Sequence, residues 1–411
     1  MSYLAPAGTP IVASDLWQWL RGLPDANKGL ERFRDALMER FQLRGCEFVS
    51  SGRAGMTLLL QTLYRFRGEP QRTEVIIPGY TCYSVPASIE RAGLRVRVCD
   101  VSPDTLSYDL RRLDNFDFSR VLAVVSANLY GLPNDLPAIE ALARKHGVFM
   151  VDDAAQALGA THGGRSVGSF GDAGIFSLDK GKNITSMQGG ILVTRSAEIA
   201  EALKESADAL PPPALRDTGL QVAKMLIYAA LLPPARYGIT RKLPFLGLGR
   251  TPYQTYSPLT RYSPALGAMA HVLYSRLDAL AGQRRDNARR LLDAVARHSP
   301  LRAISPLPDT TPVYVRLPLL AQDRQSRDSL LQTLDAAGVG ATASYPTAVT
   351  DIPELRARLL AEDLDSCPGA REVAERIVTL PTHPYVSSSD IERISSVLQG
   401  LNPDVPATRC G

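Results

Sequence analysis

The chain has 411 residues, 45% of them apolar, 21% charged and 7% aromatic, which is enough to bury two ordinary cores and too apolar for a disordered polymer. Lys and Arg outnumber Asp and Glu by 46 to 42, and a net charge of +4 over this length is too small for a dedicated nucleic-acid binder. The cysteines, Cys46, Cys82, Cys99, Cys367 and Cys410, are odd in number, widely spaced and without a Cys-x-x-Cys pair, so no disulfide scaffold and no metal site is expected.

Residues 1–20 carry no basic residue ahead of an apolar run, as a secretory signal would require, and a reducing cytoplasm is the expected compartment. From about residue 47 to residue 194, β-rich runs alternate with helical patterns. Strands are predicted at 46–50, 74–77, 95–99, 121–127, 148–152, 173–177 and 190–194, with helices at 54–66, 83–92 and 136–146. That alternation predicts an α/β domain with a largely parallel sheet, spanning residues 1–209 with its N-terminal segment. Residues 210–258 are interrupted by Pro211, Pro212, Pro213, Pro233, Pro234, Pro244, Pro252 and Pro258, and read as a folded connection between domains. The charge-free run 225–235 within it is far shorter than the roughly 20 residues of a spanning helix. Within 220–249, Met225, Leu226, Ile227, Leu231, Leu232, Phe245 and Leu246 mix with Lys224, Arg236, Arg241 and Lys242. A subunit interface is the plainer reading of that mixture; peripheral membrane contact or a pocket for a greasy substrate are the alternatives. A smaller C-terminal α/β domain, residues 259–411, is expected to follow. Helical periodicity over 263–298 leads into it, with further elements at 313–317, 324–337, 340–344, 352–360, 370–379 and 389–401.

The strand at 148–152 delivers Asp152 and Asp153 at its C-terminal end, where α/β sheets place ligand sites. A second strand ends in Ser177 and is followed by Lys180 and Lys182, and the pair Gly189-Gly190 enters a third. Pyridoxal phosphate requires an amine for a Schiff base, a carboxylate to keep the pyridine nitrogen protonated, and hydroxyl and N–H donors for the phosphate. Asp153 would supply the carboxylate, Lys182 the amine 29 residues later, and Ser177 a hydroxyl. Ala155 is small enough to leave one ring face open. Ser50-Ser51-Gly52-Arg53-Ala54-Gly55, between a strand and a helix, is a place for further phosphate donors. Lys180 competes with Lys182 for the Schiff base on chemistry alone. Arg284, Arg285, Arg289 and Arg290 read as a solvated or ion-paired helix face. His146, His271, His298 and His383 have no acid or metal constellation, and a surface or capping role is expected of all of them.

Glu74-Val75-Ile76-Ile77-Pro78-Gly79-Tyr80-Thr81, Asp100-Val101-Ser102-Pro103-Asp104-Thr105-Leu106, Asp153-Ala154-Ala155-Gln156-Ala157, Gly168-Ser169-Phe170-Gly171-Asp172, Phe176-Ser177 and Lys182-Asn183 together resemble the DegT/DnrJ/EryC1/StrS aminotransferases. The resemblance runs from about Phe41 to about Gly400. It implies the aspartate aminotransferase-like fold type I, with a large domain and a smaller C-terminal α/β domain. It also implies an aminotransferase using pyridoxal 5′-phosphate and its pyridoxamine form. Lys182 then matches the Schiff-base lysine, which also argues against the dehydratase branch, where histidine stands. Asp153 matches the pyridinium partner, Gln156 a residue beside the ring, and Ser177 a phosphate ligand. Gly52, Arg53 and Ala54 match the phosphate turn, with Arg53 in place of threonine. Cys82 occupies the position of the ring-stacking aromatic, for which Tyr83 or Tyr80 could substitute. Leu259-Thr260-Arg261 occupies the place of an Asn-Tyr-Arg sequence through which a neighbouring subunit reaches the phosphate, so Arg261 and a homodimer are implied. Asn128 stands where many relatives have histidine, which points to altered substrate recognition. The implied reaction moves an amino group, with glutamate the expected donor, to a nucleotide-linked keto deoxysugar, as in amino-sugar biosynthesis for polysaccharides or natural products. A non-sugar or carrier-bound ketone, or a cofactor-binding protein without turnover, are the alternatives.

Overall fold

The computed structural model describes residues 2–240 and 253–400. Part of the proline-rich connection, and Cys410 with it, lies outside the described residues. Its strands in chain order are β1 (Gly45–Val49), β2 (Glu74–Pro78), β3 (Arg95–Cys99), β4 (Val121–Ala127), β5 (Phe149–Asp153), the short β6 (Thr161–His162) and β7 (Arg165–Ser166), β8 (Ala173–Ser177), β9 (Gly190–Thr194), β10 (Arg302–Ala303), β11 (Thr310–Thr311), β12 (Arg316–Leu320) and β13 (Ile377–Pro381).

Seven of them form one sheet in the order β1-β9-β8-β5-β4-β2-β3. The pairings from β3 through β2, β4 and β5 to β8 are parallel, whereas β9 runs antiparallel to both of its neighbours. The sheet is covered on both faces, and for that reason β2, β4, β8 and β9 are buried along their whole length and read as continuous apolar runs rather than as alternations. The helix Gly52–Arg67 lies on one face and the helices Ala26–Phe41 and Pro264–Tyr274 on the other. A second, antiparallel sheet, β10-β12-β13, carries the C-terminal unit. The α/β class and the mostly parallel sheet follow the sequence reading, with strand limits within a residue in the large sheet.

Four features of the organisation depart from expectation. The helix Pro264–Tyr274, expected in the C-terminal domain, buries Leu266, Met269 and Leu273 in the same cluster as Phe33 and Phe41 of the large unit. The change of unit instead falls inside the helix Leu277–His298. Its Leu277, Leu280 and Ala281 belong to that cluster, while Ala288, Leu291 and Val295 join Leu317, Leu330 and Ile394 of the C-terminal unit. A 22-residue helix spans about 33 Å and has length to serve two cores. The N-terminal segment, placed with the large domain, crosses to the other one: Leu4 N donates to Gly338 O at 2.8 Å and Gly340 N to Leu4 O at 2.8 Å. The connection is not irregular throughout. Its prolines cluster at Pro211–Pro213 and Pro233–Pro234, and the interval between them forms the 17-residue helix Leu215–Leu231. Residues 340–344, expected as a strand, make only an isolated bridge at Thr342 to Thr379.

Candidate active site

The C-terminal ends of β1, β2, β4, β5 and β8 lie along one edge of the large sheet, and the chemistry-bearing residues leave from them. Beyond β1, the turn Ser50-Ser51 opens the helix Gly52–Arg67. Ser51 is its N-cap, with Oγ accepting from Ala54 N at 3.1 Å. The N–H groups of Gly52 and Arg53 are first-turn donors without an intrahelical acceptor, at the positive end of a 16-residue helix. Ala54, expected to share that role, has its N–H taken up in the cap. A Cβ on Gly52 would lie 3.2 Å from Ser177 Cβ and Oγ, so the helix start and the Ser177 hydroxyl face the same small space. The other side of the turn is equally close: a Cβ on Gly190 would meet Ser51 O at 2.4 Å. The glycine after Gly189 is therefore required by the approach of β9 to this turn. The Arg53 side chain turns away to Gln254 Oε1 at 3.3 Å.

Asp152 and Asp153, adjacent at the end of β5, divide in function because successive strand residues face opposite sides. Asp152 is fully buried and accepts from Gly168 N at 2.6 Å, Phe170 N at 3.3 Å and Asn128 Nδ2 at 2.8 Å; burial pushes its carboxyl up to about 7 against those donors. Asp153 is half-buried and receives Ala155 N at 3.0 Å. Desolvation raises its pKa, and the Ala155 N–H and the Lys182 charge pull it back. Lys182 is half-buried, whereas Lys180, two residues away on the same loop, is exposed. Of the two lysines, Lys182, the one the motif register assigns, is the one whose charge acts on the Asp153 carboxyl.

Gln156 is held at both ends of its amide, accepting from Tyr130 N at 3.0 Å and donating to Tyr345 Oη at 3.1 Å. Half-buried Cys82 accepts from Ser84 Oγ at 3.0 Å beside Tyr83. The hydroxyls of both candidate ring substitutes are engaged. The Tyr80 hydroxyl is bonded to Tyr130 Oη at 3.0 Å and Tyr345 O at 3.2 Å, and that of Tyr83 to Thr347 Oγ1 at 2.5 Å and Thr347 N at 3.0 Å. The two tyrosines tie the 344–347 loop of the C-terminal unit to the large one, and their rings pack on Tyr345. Asn128 is likewise not substrate-facing. It is 2% exposed and joins Asp152 Oδ1, Asp153 O and Asn134 N, so its amide supports β5 and the change from histidine is internal to the scaffold. Arg261 is exposed, but its backbone is bridged to Val49, with Ser50 N donating to Thr260 O at 3.0 Å, so the segment abuts the turn before Gly52.

Sequence reasoning missed the N-terminal strap. Thr9, fully buried, donates from Oγ1 to Lys182 O at 2.5 Å and receives Arg284 Nη2 at 3.1 Å. Arg284 also donates to Gly8 O at 2.7 Å and Val315 O at 3.2 Å. It is 0% exposed, and burial among carbonyls lowers its pKa to about 10. The solvated reading of Arg284 is thereby overturned. His383, also expected at the surface, is buried with Nε2 on Ala5 O at 2.8 Å, and desolvation lowers it to about 4. The signal available in sequence was thin: an extended Pro6 to Pro10 stretch without charge.

The model of the DegT/DnrJ/EryC1/StrS aminotransferase family matches residues 25–399 of this chain. The chain belongs to that family. It is a pyridoxal-phosphate-dependent aminotransferase. It is 28% identical over 360 residues, 86% of this chain and 83% of the relative, to the UDP-N-acetyl-3-dehydro-α-D-glucosamine 3-aminotransferase of Acidithiobacillus ferrooxidans. Among solved structures it is similar to the aminotransferase TlmJ from Streptoalloteichus hindustanus, with TM-score 0.77, 23% identity and coverage of 97% of this chain and 98% of that one. Helicobacter pylori PseC, an aminotransferase involved in pseudoaminic acid biosynthesis, gives TM-score 0.77 at 17% identity, covering 97% and 99%. Those two likenesses establish the fold.

The donor set of this family member fits its cofactor. Two unpaired N–H groups and a hydroxyl converge where Gly52 leaves no room for a side chain, an arrangement suited to a phosphate dianion. A carboxylate coupled to a lysine charge stands at the end of the adjoining strand β5, as a protonated pyridine nitrogen and an amine-bound carbonyl would need.

Proposed function

We propose that this aminotransferase transfers the amino group of glutamate to the keto group of a nucleotide-linked sugar, with Lys182 and Asp153 as its catalytic residues. The coupling of half-buried Lys182 to Asp153, with Lys180 left in solvent, carries the assignment of the site. The 3-keto UDP-sugar named for the Acidithiobacillus relative makes C3 of such a sugar the first carbon to test. A carrier-bound ketone is the second substrate class for the same chemistry.

Pyridoxal phosphate supplies an electron-accepting ring and carries the amino group from donor to ketone. Gly52 and Arg53 N–H and Ser177 Oγ would hold its phosphate, with Ala54 completing the turn as its packed base. Asp153 would hold the proton on the ring nitrogen, with its carboxylate oriented by Ala155 N–H. The small side chain of Ala155 would leave space for the ring, and Gln156, fixed by Tyr130 and Tyr345, would flank it. Cys82 and Tyr83 form the wall on the side of the 344–347 loop. Lys182 Nζ would take the proton from Cα of the donor and return one to the sugar carbon that receives nitrogen, so that one base serves both half-reactions. Arg261 would meet the phosphate held by a neighbouring subunit, and the working form would then be a homodimer. Sedimentation that finds a fully active monomer would exclude it. Among the described residues no helix is long and apolar enough to cross a membrane, and buried free thiols at Cys46, Cys99 and Cys367 favour the reducing cytoplasm. A peripheral membrane contact beginning at residue 220 stands on separate observations.

The test is the visible spectrum of the loaded protein, of Lys182→Ala and of Lys180→Ala, before and after glutamate. A lysine-bound band that glutamate discharges is expected in wild type and Lys180→Ala and not in Lys182→Ala. Amination of a UDP-linked 3-keto sugar in preference to an acyl ketone then supports the sugar reading; the reverse preference favours the carrier-bound substrate. Cofactor binding with no amination of either class would favour a protein without turnover.

A further inference from the structure

The helix Leu215–Leu231 is apolar on two opposite faces. One face seats it on the body: Met225 is fully buried, the Tyr228 hydroxyl receives Thr9 N at 2.9 Å, and Leu232 just beyond its end is 3% exposed. The opposite face presents Leu220, Leu226 and Ile227, 53%, 43% and 50% exposed, with Ala223 and Ala230 between them. These positions fall on one side at helical spacing, so they make a continuous strip rather than scattered residues. A helix apolar all round belongs in a core or at a boundary with something else apolar.

The charge around this strip indicates what that is. The exposed charged residues of this helix and of the short helix after it are Arg216, Lys224 and Arg236 against the single acid Asp217, a positive balance among the described residues. Exposed Lys224 lies on the helix itself and exposed Arg236 on the short helix that follows it. A second copy docking by this face about a two-fold axis would set the cationic strip against itself. An anionic lipid surface complements both components at once: acyl chains take the leucines and isoleucine, and headgroups take the lysine and arginine.

We propose that the helix Leu215–Leu231 lies flat on an anionic membrane surface, anchoring the enzyme peripherally beside the strap that holds Lys182. The helix is about 25 Å long and would lie in the interface along its length. Thr9 links the strap to both the helix and the Lys182 loop, so the anchored face and the candidate active site share one support.

The test uses the full chain loaded with cofactor and sedimented with vesicles of phosphatidylcholine alone or with phosphatidylglycerol added to about a third. Binding to the anionic vesicles only, weakened by salt, is expected. The double variant Leu226→Gln and Ile227→Gln, at exposed positions and with good helix formers, should weaken that binding at least tenfold, on the order of two lost apolar anchors. Lys224→Gln should weaken it less and flatten its salt dependence. The visible spectrum of the cofactor and the sedimentation of the free protein should be unchanged in both variants. Absence of binding by wild type to anionic vesicles overturns the proposal. So does a double variant that loses subunit association while keeping its lipid binding, since the strip would then be a protein interface.

Discussion

Thr9 shows how much one hydroxyl can organise. Its Oγ1 lies between a buried guanidinium and the carbonyl of Lys182, and replacing it leaves both without that partner. Thr9→Val should therefore cost about 1–3 kcal/mol in urea unfolding. It should also shift the pH at which the visible band of the loaded enzyme titrates, whereas Thr9→Ser should leave both near wild type. A purely structural role would lower stability and leave the titration in place. Asp153 is the complementary case. Its carboxylate is coupled to Lys182 rather than to the scaffold, so Asp153→Asn should leave the melting temperature close to wild type while lowering kcat on the order of a hundredfold or more. The neighbouring Asp152→Asn should do the opposite, because three N–H donors converge on that side chain and none of them faces the candidate site.

At the scale of elements, the phosphate turn is a helix start clamped by a strand. Gly190→Ala would drive a methyl against Ser51 O, 2.4 Å away, and the turn can yield only by moving the donors of Gly52 and Arg53. Overpacking of this kind costs about 1–3 kcal/mol, and here its larger effect should be on cofactor affinity, measured by equilibrium titration of the visible band. A second element-scale device joins the two units. Arg97 on β3 is bonded at 2.8 Å to both Glu74 on β2 and Asp363 of the C-terminal unit, all three nearly inaccessible. Arg97→Met would leave buried Asp363 without its guanidinium and Glu74 with only the longer pair to Arg120 at 3.5 Å, and a loss of about 3–5 kcal/mol should appear as a lower urea midpoint.

For the whole molecule, pH acts through buried groups, one against the N-terminal strap and one inside the large unit. His383 is held neutral, with its folded pKa lowered to about 4 from an ordinary 6.5. Between those values the unfolded chain binds more protons, so this group's contribution to stability is complete above about 6.5 and is lost as pH falls towards 4. Asp152, raised to about 7, works in the opposite direction over part of that window, since protonation of the folded form is then favoured. The two are separated by difference. His383→Gln keeps a donor for Ala5 O but does not titrate, so the gap in melting temperature between variant and wild type should shift in the variant's favour as pH falls from 7 to 5. A gap independent of pH would show that His383 does not titrate with folding.

The large sheet was legible in the sequence because each of its strands is a short apolar run bounded by turn residues, and burial on both faces leaves that pattern uninterrupted. The lysine and carboxylate proposed as catalytic were legible because Asp153 ends an apolar strand and the motifs around both residues resemble the family's. The sequence by itself therefore determined the fold class, the family and the chemistry. Tertiary structure alone decided that Arg284 and His383 are internal and that residues 4–9 brace the Lys182 loop. These are contacts between residues far apart in the chain, many of them made by backbone carbonyls that every sequence possesses, and no local pattern encodes which carbonyl a distant arginine will find.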